Sequence, residues 1–355
     1  MPATPIEKAS AFTGCLVGTA VGDALGLPRE GLSPQRAQAL YGRELRHCFL
    51  PGRGMVSDDT EHAAMTAQSL LAVPEDPEGF ANNLAWRLRW WLVALPAGVG
   101  LATARSCLRL CLGVPPDRSG VFSAGNGPMM RAPIIGLLFA DRPDAMRSFV
   151  AASTRLTHTD PKAERAAFAV ALAASFTRRN PEAAVEATTV IEELCELIPD
   201  ADEELAALLE RVRGPEPLSA LFPRGPGGYC YHTLLAVLHC WLHTEQGFGA
   251  ALRKLLALGG DADTTGAILG GIAGATLGHE AIPEDWVRGI TEWPRSVRWL
   301  QALGKAVAQA KETGAKVRCP FYFAPGALPR NALFLAVVLG HGFYRYLWPG
   351  RRPKA

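Results

Sequence analysis

The sequence predicts an all-α protein, and three observations carry that expectation. Apolar residues recur at helical spacing through most of the 355 residues. A proline follows a capping residue at Ser33-Pro34, Asp76-Pro77 and Asp160-Pro161, which is how helices commonly start. Period-two alternation bounded by turn residues is almost absent.

Taken in order, the first helix is expected over 6–27, with Gly14, Gly18, Gly22 and Gly26 falling every four residues. That spacing lays a smooth ridge along one face and lets another backbone approach closely. Asp23 rules the segment out as a membrane span. Glu30 follows in a loop, either as a plain solvated acid or as a site residue. Further helices are expected at about 34–41, 58–73, 77–95, 100–112, 128–140, 143–156, 161–179 and 181–197. The pattern continues at 201–212, 230–245, 247–258, 265–277, 283–291, 294–312 and 331–347. Trp86, Trp90 and Trp91 lie at helical spacing and are expected in the core or between helices.

Three loops, 114–127, 213–228 and 313–330, break the run, and site candidates lie on both sides of each. One compact domain over 1–312 is therefore expected, with its loops gathered at a cleft. Residues 313–355 form a C-terminal extension carrying an apolar helix. Broken by His341 and Arg345, that helix is too short for a membrane span. It is expected to cover the domain or a second subunit, with interfacial membrane attachment through Arg351, Arg352 and Lys354 as the lesser reading.

Composition narrows the function classes. At 48% hydrophobic residues the chain can bury a large core, and a net charge of +2 gives no strong bias toward nucleic acid. Stable nucleic-acid binding is not expected. Eight cysteines are scattered without a CxxC pair, and several sit in apolar helical patterns, as reduced thiols do. Residues 1–10 lack the apolar core of a signal peptide, so the cytoplasm is the expected compartment.

The chemistry concentrates in Gly259-Gly260-Asp261-Ala262-Asp263-Thr264-Thr265-Gly266. This is either a plain helix cap, or a ligand site in which Asp261 and Asp263 converge on an ion while Thr264 or Thr265 caps the helix and adds a hydroxyl oxygen. A second acidic start, Ser57-Asp58-Asp59-Thr60-Glu61, favours the ligand site. Were the two starts to meet, Asp58, Asp59, Asp261 and Asp263 would bring four negative charges, which two divalent cations would balance. Ser57 and Thr264 would add neutral oxygens, and an all-oxygen set suits Mg²⁺, Mn²⁺ or Ca²⁺ better than zinc. Elsewhere, Ser123-Ala124-Gly125-Asn126-Gly127 reads as a plain turn or as a close approach to a nucleotide or sugar. His158 sits at a helix junction, where a lone histidine is usually structural.

Six segments in order resemble the ADP-ribosylglycohydrolase family over roughly residues 11–280. They are Gly22 to Gly26 with Glu30, Ser57 to Thr60, Gly125 to Gly127 with Met130-Arg131, Thr157-His158, Gly228-Tyr229, and Gly260 to Thr264. The resemblance implies a compact all-α domain with two Mg²⁺ ions at the base of a cleft, Mn²⁺ being able to substitute. It implies hydrolysis of the bond between ADP-ribose and its acceptor, in a modified protein or a small-molecule conjugate. By the same resemblance Ser57, Asp58, Asp59, Asp261, Asp263 and Thr264 are metal ligands, and Glu30, Asp58 and Asp59 are catalytic. Ser123, Gly125, Asn126, Gly127, His158 and Tyr229 would hold the substrate. Members acting on arginine-linked ADP-ribose commonly carry Asp where this chain has Ser123, which tilts the expectation toward an O-linked substrate. Two alternatives stand beside this: a non-catalytic ADP-ribose-binding member, and a dinuclear phosphoester hydrolase.

Overall fold

The protein is described by a computed structural model covering residues 7–244 and 247–347. Its helices are α1 (Lys8–Gly26), α2 (Pro34–Tyr41), α3 (Asp58–Ala72), α4 (Pro77–Val93), α5 (Leu101–Cys111) and α6 (Pro116–Ser119). Then come α7 (Ala132–Leu138), α8 (Pro143–Arg155), α9 (Pro161–Arg179), α10 (Ala187–Leu197), α11 (Glu203–Arg213) and α12 (Leu218–Leu221). The last are α13 (Cys230–Leu242), α14 (Phe248–Leu256), α15 (Ala262–Leu277), α16 (Glu284–Gly289), α17 (Val297–Thr313) and α18 (Ala327–Leu347). Among the described residues no sheet forms, and five isolated β-bridges tie loops together. The expected caps are present: Ser33, Asp76 and Asp160 accept from the backbone N–H of Arg36, Glu78 and Lys162.

Several boundaries move for identifiable reasons. Residues 181–186 are all exposed, so they bury no apolar stripe, and α10 starts at Ala187 instead of 181. The cap expected at Thr264 or Thr265 is Asp261 instead, and the helix begins at Ala262. Trp91 is buried, but Trp86 and Trp90, one turn apart, face solvent. The loop 313–330 does not reach the cleft described below; its Pro320 carbonyl accepts from Trp299 Nε1 on α17 at 3.1 Å.

At the centre, α1 and α15 run antiparallel with glycine facing glycine. A Cβ on Gly22 would stand 1.9 Å from the carbonyl oxygen of Gly266, and one on Gly18 would stand 2.2 Å from that of Gly270. The clash is reciprocal, since a Cβ on Gly274 would meet the Gly14 carbonyl at 2.0 Å. This register sets the C-terminal end of α1 beside the start of α15, so the Glu30 loop and the Asp261 turn become neighbours. They pair through Gly31 N–H to Gly260 O at 2.7 Å and Gly260 N–H to Leu32 O at 2.8 Å. α1 is long and apolar enough to cross a membrane, but that stretch is wholly buried in the fold.

α18 lies against the domain by one face. Phe334 is buried with Leu27, Phe49 and Met55, and His341 stacks on Phe49 with ring centres 4.8 Å apart. The residues it turns outward, including Leu328, Leu335, Leu339, Phe343 and Tyr346, are apolar or aromatic. Arg351, Arg352 and Lys354 lie outside the described residues.

Candidate functional site

The two acidic starts meet. Ser57 caps α3, accepting from the Asp59 N–H at 3.3 Å and donating to Asp59 Oδ2 at 3.1 Å. Thr264, in the first turn of α15, donates to the same oxygen at 3.2 Å. Beneath them lies a carboxylate whose role sequence reasoning missed. Asp23 is fully buried on α1 and accepts from the Ser57 N–H at 2.9 Å, the Thr60 N–H at 3.2 Å and the Thr60 hydroxyl at 2.5 Å. It holds the α3 start as a cap delivered from another helix. Burial pushes its pKa up to about 6 against the pull of those bonds.

Gly259 and Gly260 carry the chain into α15 at φ of +66° and +73°, where a Cβ would strike Leu32 O and Pro226 O. Asp261, freed from side-chain capping, accepts from Asn126 Nδ2 at 2.7 Å. The same nitrogen reaches Thr233 Oγ1 at 2.9 Å, and the Asn126 N–H donates to Gly228 O at 2.9 Å. The loops 114–127 and 213–228 thus join at the site.

A cavity of about 380 Å³ opens between these elements. Glu30, Asp58, Asp261, Asp263 and Thr264 line one part of it, and Ser123, Gly125, Asn126, Gly127 and His158 line another. Ser57 and Asp59 lie beneath it. Tyr229 does not line it: its backbone pairs with Gly125, while its hydroxyl donates to Glu204 at 2.8 Å and accepts from Lys162 at 3.2 Å. Gly98, Gly100 and the first residues of α5 also form the wall and were not expected. Gly100 makes no side-chain cap, so the first N–H groups of α5 are free of one; the pair of glycines before a helix was the only signal in the sequence.

The far wall rests on a buried cation. Arg131 is fully buried and donates to Ser153 Oγ at 3.0 Å, Ser153 O at 3.1 Å and Thr157 Oγ1 at 2.8 Å; its Nη1 lies 3.2 Å from His62 Nδ1. Burial lowers its pKa to about 10. His158, buried beside it, has its pKa lowered to about 3 by desolvation and then by the Arg131 charge, so its imidazole is neutral. The glycines make room for that ring, since a Cβ on Gly125 would stand 2.8 Å from His158 Nε2.

Electrostatically the acids are frustrated. Burial raises the pKa values of Asp58, Asp59 and Asp263 well above the usual carboxylate range, and neighbouring acids raise them further: Asp23 for Asp58, Asp58 for Asp59, Glu30 for Asp263. Desolvation and the Asp261 charge raise Glu30 in the same direction. Among the described residues no three His, Cys, Asp or Glu side chains converge as a finished metal shell. Yet Asp59 Oδ1 and Asp263 Oδ1 are buried with no hydrogen-bond partner. Two orphaned carboxylate oxygens among hydroxyls and further carboxylates form a donor set that fits hard divalent cations.

The comparisons with known proteins point to one family. A profile described as ADP-ribosylglycohydrolase matches residues 4–316. An uncharacterized protein of Archaeoglobus fulgidus is 33% identical over 294 residues, 79% of this chain and 92% of that protein. The ADP-ribosyl-dinitrogen reductase glycohydrolase of Rhodospirillum rubrum is 28% identical, covering 77% of this chain and 88% of its own length. ADP-ribosylhydrolase ARH3 of Gallus gallus is 26% identical, covering 84% and 94%. A solved structure described as an ADP-ribosylglycohydrolase-related protein complex superimposes with a TM-score of 0.64 at 29% identity, over 86% of this chain and 99% of that one.

Proposed function

The chain belongs to the ADP-ribosylglycohydrolase family, and from that premise we propose that this ADP-ribosyl glycohydrolase splits the bond between the anomeric carbon of ADP-ribose and its acceptor, in a modified protein or a small molecule. The observation that carries the reading is the pair of orphaned carboxylate oxygens, on Asp59 and Asp263, beneath a cleft whose other wall is glycine, amide and neutral imidazole.

Ser57, Asp58, Asp59, Asp261, Asp263 and Thr264 would hold two Mg²⁺ ions, or Mn²⁺ in their place; bound there, the ions supply charge neutralisation and Lewis acidity toward the ribose hydroxyls. The chain's own residues do the rest. Glycosidic cleavage develops positive charge on the sugar, which the carboxylates of Asp58 and Asp59 stabilise. Glu30, at the rim with a raised pKa, gives a proton to the departing acceptor and takes one from the water whose oxygen bonds to the anomeric carbon. Gly125 and Gly127 let the distal ribose approach the neutral His158, and Asn126 is fixed by Asp261 and Thr233 to bond it. The free N–H groups at the start of α5 suit the diphosphate. The eight cysteines, all free, suit a reducing cytoplasm.

Ser123 sets the linkage preference. An arginine-linked acceptor presents a guanidinium, which an Asp would pair and a neutral hydroxyl does not. Here Ser123 Oγ is occupied within its own turn, accepting from the Gly125 N–H at 3.3 Å. The test is to incubate the protein and Mg²⁺ with serine-, arginine- and nucleoside-linked ADP-ribose side by side. ADP-ribose release from the O-linked form is expected to exceed release from the arginine-linked form, and Ser123→Asp is expected to shift the ratio toward arginine. Phosphate release from simple esters without ADP-ribose release would overturn the reading, and so would binding of ADP-ribose without turnover.

A further inference from the structure

We propose that α18 is a strap that sets the position of the Glu30 loop, with Arg345 as its positioning residue; the proposal rests on the catalytic reading above. The family match ends at residue 316 and α18 starts at Ala327, so this device lies outside the part of the chain that the family shares.

The geometry is a grip at both ends of one helix. Near its C-terminus, Arg345 spreads its guanidinium over three carbonyls, donating to Pro28 O at 2.6 Å, Glu30 O at 3.0 Å and Leu27 O at 3.3 Å. These are carbonyls of the turn that follows α1, and a planar fork of donors reaches several at once. On its other side the loop is pinned by the pairing of Gly31 and Leu32 with Gly260, next to Asp261. Glu30 therefore sits between two clamps, one of them supplied by the extension. In mid-helix, the His341 ring lies 2.6 Å from Phe49 O. At the N-terminal end, Arg330 donates to Val56 O at 2.5 Å and pairs with Glu292, which accepts from the Val56 N–H at 3.0 Å. Val56 is the residue before Ser57, so one helix braces both segments that bring carboxylates to the cleft. Arg345 does not line the cleft, so it acts through the loop and not on substrate.

The experiment uses the full chain with Arg345→Ala and Arg345→Lys. Hydrogen exchange is followed at the amides of Glu30, Gly31 and Leu32, with α9 as the folding control. Steady-state ADP-ribose release and Mg²⁺ binding are measured in parallel. In Arg345→Ala the loop amides are expected to exchange faster while α9 is unchanged. Turnover number is expected to fall about ten- to hundred-fold, as a misplaced catalytic group would cause, with KM and Mg²⁺ affinity held within about twofold. Lysine, a point donor able to hold one or two carbonyls, is expected to recover part of the loss. Unchanged loop exchange, or a rise in KM alone, would overturn the strap. Should the parent chain turn over no ADP-ribose conjugate, the catalytic reading fails, and the exchange measurement still decides whether Arg345 holds the loop.

Discussion

Gly22→Ala tests the central claim that the α1–α15 contact sets the site. The new Cβ would lie 1.9 Å from Gly266 O and 2.4 Å from Gly266 C, against the 3.4 Å at which ordinary contact begins, a shortfall of 3.4 − 1.9, or about 1.5 Å. Both obstacles are backbone, so no side chain can rotate away and the helices must part. Alanine returns roughly 0.5–1 kcal/mol through helix propensity, whereas overpacking of this kind costs typically 1–3 kcal/mol and more where nothing yields. A net loss of about 1–3 kcal/mol in urea unfolding is expected. The site suffers as well: α3 is tied to α1 through Asp23, so parting α15 from α1 also draws Thr264 away from Asp59, to which it donates at 3.2 Å, and Mg²⁺ affinity is expected to fall too. Gly14→Ala, about 12 Å further along α1, is expected to lose comparable stability with a smaller effect on Mg²⁺. Gly340→Ala is the control: nothing lies within 4 Å of its added Cβ, so stability should rise by about 0.5–1 kcal/mol. If Gly22→Ala unfolds and binds Mg²⁺ like the parent, the contact is not what fixes the register.

Mg²⁺ is expected to raise the melting temperature and Asp263→Asn to abolish that rise, while leaving the metal-free protein as stable as before or more so, because it relieves crowding among buried carboxylates; thermal unfolding with and without Mg²⁺ checks both halves. Glu30→Ala should cut turnover on every substrate while Mg²⁺ still binds with the same stoichiometry by calorimetry, only weakened by the loss of one nearby charge, since Glu30 is not among the proposed ligands. His158 has a folded pKa of about 3 against an ordinary value near 6.5, so the unfolded chain takes up its proton first as pH falls. Its contribution to stability is complete above about pH 6.5 and drains away as pH drops toward 3. The unfolding free energy of the parent minus that of His158→Gln should shrink across that window, and a constant difference would mean that the imidazole titrates in the fold as it does in the unfolded chain.

Much of this was legible in the sequence because it is local. The caps at Ser33, Asp76 and Asp160 depend on neighbouring residues, and the two acidic starts declare themselves by the types they collect. At Asn126 the residues left two readings open, a plain turn or an approach to a nucleotide or sugar, and for it and His158 only the resemblance chose, since a Gly-Asn-Gly turn by itself has no direction. What escaped is what contact alone creates. Asp23 spoke in the sequence only against a membrane span and within the Gly22 to Gly26 segment, and nothing in its neighbours says that it caps α3, 34 positions away. The second glycine row, Gly266, Gly270 and Gly274, shows the same spacing as the first, but spacing does not tell which ridge meets which. Trp86 and Trp90 misled because helical spacing shows that residues share a face, not that anything covers it.

Arg131 has a consequence for how a substrate arrives. All its partners are neutral, and a pKa of about 10 leaves it charged at any working pH. Behind Met130 and His158 there is thus a fixed positive source, whereas the carboxylates of the other wall are balanced once two divalent cations are bound, so the cavity keeps a positive pull on the side of the neutral imidazole. A molecule with an anionic middle and a neutral sugar end is turned the right way by that field before it touches a single hydrogen-bond donor. Orientation of this kind depends on field lines crossing water at the mouth, where 1 M salt shortens their reach to roughly 3 Å. Concentrated salt should therefore slow capture while the seated complex, shielded inside the protein, keeps its grip.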